Sequence, residues 1–148
     1  MLEIGDRLPD FCLYDQNEKQ HCREDFKDQR LVMFFYIKDN TPGWKKEAVA
    51  FQRHLKTLEG LDTKVIGVSK DSVESHKKFA EEYDLKFPLL ADTEKKLAKK
   101  FDVVNLVGMF KRSTFIISKE QKIIKVFPKV KIDGHAERVV EFIKELKD

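Results

Sequence analysis

A polar loop between an apolar run and a predicted helix carries the residues whose types and spacing could do chemistry. The loop ends in Thr41, Pro42 and Gly43, and Trp44 follows in the first turn of the helix. At such a junction an α/β protein can hold a reactive group against the free N–H donors of a helix start. An indole offers no thiolate, however, so the residue in the middle of this segment is not itself a nucleophile.

Two cysteines, Cys12 and Cys22, are the thiols of this chain, and none follows Cys22. No helix start is predicted beside either thiol to activate it, although His21 and Arg23 flank Cys22. We therefore expect ordinary surface or half-buried cysteines. A cross-strand disulfide between them stays open at this point, because it depends on a strand register that the sequence does not reveal.

The histidines do not indicate a metal site. His21 and Cys22 are neighbours on a predicted strand, so their side chains point to opposite faces. The remaining histidines, His54, His76 and His135, show no ligand spacing. We expect neither a metal ion nor another cofactor.

Composition and charge narrow the class of protein. The chain has 148 residues, of which 41% are hydrophobic and 37% charged, as is typical of a folded domain. The net charge is only +3, from 29 basic and 26 acidic residues, and this balance argues against a nucleic-acid partner. No signal peptide is visible, and no apolar run approaches the roughly 20 residues that span a bilayer. We expect a cytoplasmic protein with one domain over residues 1–148 and no membrane association.

Hydrophobic periodicity predicts the elements that position the loop. Strands are predicted at residues 10–14, 20–22, 31–37, 63–69, 87–91, 113–118 and 122–127, and helices at residues 42–58, 72–83, 94–101 and 134–146. The first two strands form a hairpin, and so do the last two. Strands that alternate with helices between two hairpins predict an α/β protein with a mixed central sheet flanked by helices.

The helix predicted from Pro42 to Leu58 decides how Trp44 is interpreted. Thr41 suits its N-cap and Pro42 its first position. The apolar stripe of this helix has spacings of four, three, four and three, and it consists of Trp44, Ala48, Phe51, Leu55 and Leu58. Because Trp44 is in phase with the stripe, we interpret it as a core residue in preference to a ligand-binding aromatic.

Six segments follow one another in the order and spacing of a known family: GDRLPDF at 5–11, LVMFFY at 31–36, TPGWKKEA at 41–48, GVSKDS at 67–72, FPLLAD at 87–92 and RSTFII at 112–117. The chain thereby resembles the peroxiredoxins, most closely their Q type, the bacterioferritin-comigratory proteins. This resemblance implies a thioredoxin-like fold of the peroxiredoxin type with an N-terminal β-hairpin. For a chain with an intact site, it also implies reduction of peroxides with electrons from a thioredoxin-like reductant.

Only part of the family's site is carried over by the resemblance. Thr41 stands where the family has the threonine that orients the peroxide, and Arg112 stands where it has the arginine that lowers the pKa of the reactive thiol. Trp44 stands at the position of the peroxide-reducing cysteine, and Ile37 replaces the proline that shields it. Val49 occupies the position where the Q type often has its second cysteine. Both redox positions implied by the family are therefore empty.

Three hypotheses of function remain open. The first is a peroxiredoxin homologue without peroxidase activity, in which Thr41 and Arg112 are remnants of the site or simply a helix cap and an ion-pair residue. The second is residual peroxide reduction through Cys12 or Cys22. The third is a module that binds a protein partner, such as an active homologue, with the assembly a monomer or a homodimer.

Overall fold

A five-stranded mixed sheet and a separate hairpin make up the β structure. The computed structural model describes residues 1–131 and 133–146. Its strands are β1 (Cys12–Tyr14), β2 (Gln20–Cys22), β3 (Arg30–Phe35), β4 (Thr63–Ser69), β5 (Leu89–Ala91), β6 (Ser113–Ile117) and β7 (Ile123–Phe127). The hairpin pairs β1 with β2, and the sheet has the order β5-β4-β3-β6-β7. β3, β4 and β5 run parallel, whereas β6 is antiparallel to both β3 and β7, so the predicted mixed sheet is confirmed.

The described residues form five α-helices around the sheet: α1 (Pro42–Arg53), α2 (Leu55–Gly60), α3 (Val73–Tyr83), α4 (Lys96–Phe101) and α5 (His135–Lys144). The prediction of one helix from Pro42 to Leu58 was wrong in one respect, because the backbone turns out of helical geometry at His54, with ψ 3°. The apolar stripe nevertheless continues through α2. Within the described ranges, no helix has the length and apolar composition that a membrane span requires.

Two apolar clusters cover the two faces of the sheet. On one face, Val32 and Phe34 of β3 contact α1, α2, α3 and α5, and the cluster includes Trp44. On the other face, Leu31, Met33 and Phe35 lie against α4 and the N-terminal segment. All six residues of β3 are buried, as expected for a central strand covered on both sides.

The parallel strands end at the same edge of the sheet. The segment from Tyr36 to Thr41 follows β3, Asp71 follows β4, and Asp92 follows β5. Arg112 joins this edge from the antiparallel strand, because Ser113, the next residue, pairs with Phe35 at the end of β3. The topology therefore places the predicted site residues at the same edge of the sheet.

Candidate functional site

Trp44 lies in the first turn of α1 and is almost completely buried, with 1% of its surface exposed. Its ring stacks on Tyr36, with 3.9 Å between centroids and 11° between the planes. The edge of Phe34 approaches at 5.3 Å, and Phe79 lies at 6.3 Å. The prediction that Trp44 is a core residue is confirmed.

A glycine in the neighbouring strand makes room for this stack. Gly67 of β4 pairs with Phe34. A Cβ atom at Gly67 would lie 3.0 Å from Leu89 Cδ2, 3.2 Å from Tyr36 Cε1 and 3.4 Å from Trp44 Cη2. The aromatic rings therefore use the space that a side chain at this position would take.

The indole N–H of Trp44 is buried without a hydrogen-bond partner among the described residues. An unpaired buried donor costs about 1–3 kcal/mol, because the bond it would make with water is not replaced. Contacts between the indole ring and its aromatic neighbours offset this cost. The ring thus fills space at the helix start and does not present a polar group to a ligand.

Thr41 occupies the N-cap position of α1, as predicted, but its side chain does not cap the helix. Its hydroxyl donates to the carbonyl oxygen of Lys38 at 2.8 Å. The expectation of a side-chain cap was therefore wrong. The preceding residue, Asn40, has φ +66°, and this left-handed turn carries the chain from the loop into the helix.

Arg112 is half-buried, and it makes no hydrogen bond or ion pair with any residue of 1–131 and 133–146. Its electrostatic neighbour is Glu47 of α1, which is 4% exposed. Burial raises the pKa of Glu47 to about 7, and the charge of Arg112 acts in the opposite direction. A carboxyl group that titrates near neutrality therefore lies one helical turn beyond Trp44.

His135 completes the buried group around Glu47. Its Nε2 lies 2.9 Å from Thr114 Oγ1 and 3.8 Å from Glu47 Oε1. Burial, followed by the positive charge of Arg138, lowers the pKa of His135 to about 4. The imidazole is therefore neutral at pH 7, and its approach to Glu47 is a contact with a carboxyl group and not an ion pair.

A second buried network adjoins the Tyr36 ring. The Tyr36 hydroxyl donates to Asp39 Oδ1 at 2.7 Å, and His76 Nδ1 lies 2.8 Å from Asp39 Oδ2. His76 Nε2 lies 3.1 Å from the carbonyl oxygen of Leu90, which can only accept, so Nε2 carries a proton. Burial, and then Asp39, raise the pKa of Tyr36 well above its usual value, so the phenol stays a neutral donor.

Asp71 extends this network toward the surface. The backbone N–H of Asp39 and the hydroxyl of Ser69 both donate to Asp71 Oδ2 at 2.8 Å. One ligand atom each from Asp39, Asp71 and His76 lie within 4.8 Å of one another, which is close enough for a shared metal ion. The Asp39 and His76 side chains are bonded to each other, and the Asp71 carboxylate accepts from the Asp39 N–H and the Ser69 hydroxyl; the expectation of no metal stays a prediction.

The two cysteines form a disulfide, because Cys12 and Cys22 are direct partners across β1 and β2. The sequence left this disulfide open, and Cys12 is exposed and Cys22 half-buried, as expected. The register of the hairpin brings the two Cα atoms to 4.1 Å and places both side chains on the same face.

Sequence reasoning missed Glu47, His135 and the partners of His76. Glu47 did carry a signal, because it follows Trp44 by three residues and therefore lies near the apolar stripe of its own helix. His135 and Thr114, and likewise His76 and Asp39, are far apart along the chain. No local pattern could have paired them.

Comparisons with known proteins bear on this arrangement. A model of the AhpC/TSA family matches residues 4–126. Peroxiredoxin Bcp of Bacillus subtilis is 39% identical to this chain over an alignment of 154 positions, gaps included, which covers 99% of this chain and 98% of that protein. A putative peroxiredoxin bcp of Coxiella burnetii is 36% identical, over 94% of this chain and 97% of its own.

Solved structures give the same result. A mutant of PrxQ from Xylella fastidiosa superimposes with a TM-score of 0.93 at 35% identity, covering 97% of this chain and 96% of its own. Peroxidoxin BcpB from Mycobacterium tuberculosis has a TM-score of 0.92 at 29% identity, and the match covers both chains completely.

Proposed function

The chain belongs to the AhpC/TSA family, and we propose that it is a Bcp-type peroxiredoxin homologue that does not reduce peroxides at its helix-start site. The mixed five-stranded sheet with its flanking helices and N-terminal hairpin is the thioredoxin-like fold of the peroxiredoxins. In this proposal, Trp44 occupies the position of the peroxide-reducing cysteine, and neither Cys12 nor Cys22 takes over its role at the helix start.

The burial of Trp44 carries the proposal. Reduction of a peroxide by a thiol requires a thiolate that attacks the terminal peroxide oxygen. At this position the chain has an indole, which is stacked on Tyr36 and supplies no lone pair for that attack. Both cysteines are joined to each other on the hairpin.

The remaining site residues fit a remnant of the original machinery. The Thr41 hydroxyl is engaged with the Lys38 carbonyl oxygen, and Arg112 has Glu47 as its electrostatic neighbour. We assign no catalytic step to Thr41 or Arg112 in this chain, because the group on which they would act is absent.

Peroxide consumption tests the proposal. The purified chain is mixed with hydrogen peroxide or an alkyl hydroperoxide, with dithiothreitol or thioredoxin as reductant, and the remaining peroxide is measured over time. The expected rate equals that of a blank without protein. The bacterioferritin comigratory protein of Xanthomonas campestris, which is described as reducing alkyl peroxides, serves as the positive control. Turnover clearly above the blank would refute the proposal as stated.

A second candidate function is peroxide reduction through the hairpin cysteines. The exposure of Cys12 favours it, because a reduced Cys12 could meet peroxide in solution. Replacing Cys12 and Cys22 by serine separates the two candidates. Activity that is present in the natural chain and lost in this double variant would establish the second candidate.

A third candidate is binding of a protein partner, which could include a second copy of the chain. Trp44 is buried, so the indole itself offers no docking surface. Leu106 and Val107 are instead largely exposed, on a loop in which the Asn105 side chain accepts two backbone hydrogen bonds. Sedimentation of the natural chain and of a Leu106→Ser variant would reveal an assembly that depends on this loop.

A further inference from the structure

The Cys12–Cys22 pair supports an inference that is independent of the Trp44 site. We infer that this pair is a thiol–disulfide exchange site, which accepts two electrons from a dithiol and passes them on to a disulfide substrate. Four features of the hairpin carry this inference: the face on which the sulfurs lie, the anchoring of its turn, the anchoring of its open end, and the difference in exposure between the two cysteines.

The disulfide lies on the solvent face of the hairpin. Side chains alternate along each strand, and Cys12, Tyr14 and Gln20 are exposed while Cys22 is half-buried. The opposite face carries Leu13 and His21, which point toward the protein. A thiol that approaches from solvent can therefore reach the sulfur of Cys12 without any movement of the core.

The turn of the hairpin is anchored without help from the disulfide. Asp15 Oδ2 lies 2.7 Å from His21 Nε2, and both side chains are buried. The Gln16 amide donates to the Phe87 carbonyl oxygen at 3.0 Å and accepts from the Leu89 N–H at 2.8 Å. The turn is thereby tied to the strand β5 of the main sheet.

The open end of the hairpin is anchored in the same way. The Arg23 N–H donates to the Phe11 carbonyl oxygen at 3.1 Å, and the Gln121 side chain donates to the Arg23 carbonyl oxygen at 2.7 Å. Arg23 Nη1 reaches the Leu8 carbonyl oxygen at 3.2 Å. With both ends held, Cys12 and Cys22 stay opposite each other after reduction. The pair can therefore cycle between its two states in a folded protein.

The exchange proceeds in two steps whose atoms and electrons balance. A thiolate of the donor dithiol attacks the exposed Cys12 sulfur, the Cys12–Cys22 bond breaks, and Cys22 leaves as a thiolate that takes a proton from water. The second thiol of the donor then attacks the mixed disulfide and releases Cys12. The donor ends as a disulfide and the pair as two thiols; a disulfide substrate reoxidises the pair by the reverse steps.

Reduction in the absence of peroxide tests this inference. The oxidised chain is incubated with dithiothreitol, and separately with thioredoxin, its reductase and NADPH. Free thiols are counted by alkylation and mass spectrometry while far-UV circular dichroism follows the fold. We expect reduction of the native protein within about tenfold of the rate measured in guanidinium chloride, an unchanged spectrum, and reoxidation by oxidised glutathione. Reduction that requires denaturant, or that removes the native spectrum, would show a structural cross-link and overturn the inference.

Two matched variants test which sulfur is attacked. Cys22→Ser leaves the exposed Cys12, and Cys12→Ser leaves the half-buried Cys22. With a thioredoxin whose second active-site cysteine is replaced by serine, and an aromatic disulfide as activating reagent, Cys22→Ser should form a mixed disulfide at least about tenfold faster than Cys12→Ser. Equal rates would remove the assigned role of Cys12. Because no peroxide is present, these results are independent of whether the chain is a peroxidase.

Discussion

Replacing Trp44 by cysteine would introduce a thiol at the position that we propose for the family's reactive cysteine and, at the same time, remove the ring around which the surrounding core is packed. Truncating a buried large aromatic residue to alanine costs about 3–5 kcal/mol. Cysteine retains one more heavy atom than alanine, and the indole N–H that is lost has no partner among the described residues, so its removal returns about 1 kcal/mol. We therefore expect Trp44→Cys to lower the free energy of unfolding by about 2–4 kcal/mol.

Urea unfolding, followed by far-UV circular dichroism, is the suitable assay. Tryptophan fluorescence is unsuitable for comparing the variants, because Trp44 is the one tryptophan of the chain. Domains of ordinary stability have about 5–15 kcal/mol in total, so the variant should remain folded. Its peroxidase activity should recover only weakly, because the residues that line the cavity will relax into it and will not hold the new thiol in an attacking position. Adding Ile37→Pro would introduce the shielding residue that the resemblance implies, and it should not change this result by itself.

Trp44→Phe is the matched control. Phenylalanine keeps an aromatic ring against Tyr36 and removes the unpaired N–H, so its stability loss should be less than half that of Trp44→Cys. Two outcomes would refute the reasoning. One is a Trp44→Cys variant that is as stable as the natural chain, which would mean that the indole is not part of the packing. The other is turnover comparable to that of an active Bcp, which would mean that the site had remained intact beneath it.

Four other predictions follow from the buried groups and the disulfide. Burial raises the pKa of Glu47 from 4.5 to about 7. The stability contribution of the protonated carboxyl is therefore complete below pH 4.5 and is lost as the pH rises through 7. Over that range, the free energy of unfolding of Glu47→Gln should rise by about 3 kcal/mol relative to that of the natural chain. The pKa of His135 is lowered from 6.5 to about 4, so the stability contribution of the neutral imidazole is complete above pH 6.5 and is lost as the pH falls. In urea titrations, the free energy of unfolding of His135→Asn relative to the natural chain should therefore rise as the pH falls. Relative free energies that change with pH in the same direction for Glu47→Gln and His135→Asn would contradict both assignments. Reduction of Cys12–Cys22, whose cysteines are 10 residues apart, should lower the free energy of unfolding by about 2–3 kcal/mol without unfolding the chain, and an unchanged urea midpoint would contradict this. Acrylamide should quench Trp44 only weakly, since 1% of its surface is exposed, and quenching as strong as that of free indole would exclude the packing described above.

Much of the fold was predictable from the sequence because its signals are local. Strand β4, Thr63–Ser69, was predicted with its exact bounds, and the stripe from Trp44 to Leu58 is buried as the helical period requires. The break at His54 was not predicted, because the apolar period continues through it and only the backbone geometry changes. Thr41 occupies the predicted N-cap position, but the loop places its hydroxyl so that it donates to the Lys38 carbonyl oxygen and accepts no hydrogen bond from the helix N–H groups.

In the candidate site, too, some residues could be interpreted from local sequence patterns, whereas others are brought together only by folding. Trp44 could be placed in the core because its phase within one helix is a property of neighbouring residues. The disulfide could not be predicted, because a shift of one residue in the hairpin register would have turned Cys12 away from Cys22. Glu47, His135 and Thr114 were not recognised as a group, since they lie on two helices and a strand that meet only in the folded chain.

The sequence by itself determined the family, the order of the elements and the absence of a thiol from the helix start. Each of these is determined by the types of residues and by their local spacing along the sequence. Tertiary structure alone decided that Cys12 meets Cys22, that Asp39 meets His76, and that burial moves the pKa of Glu47 toward neutrality. These depend on register, on long-range contacts and on the exclusion of water, which arise only when distant segments pack together.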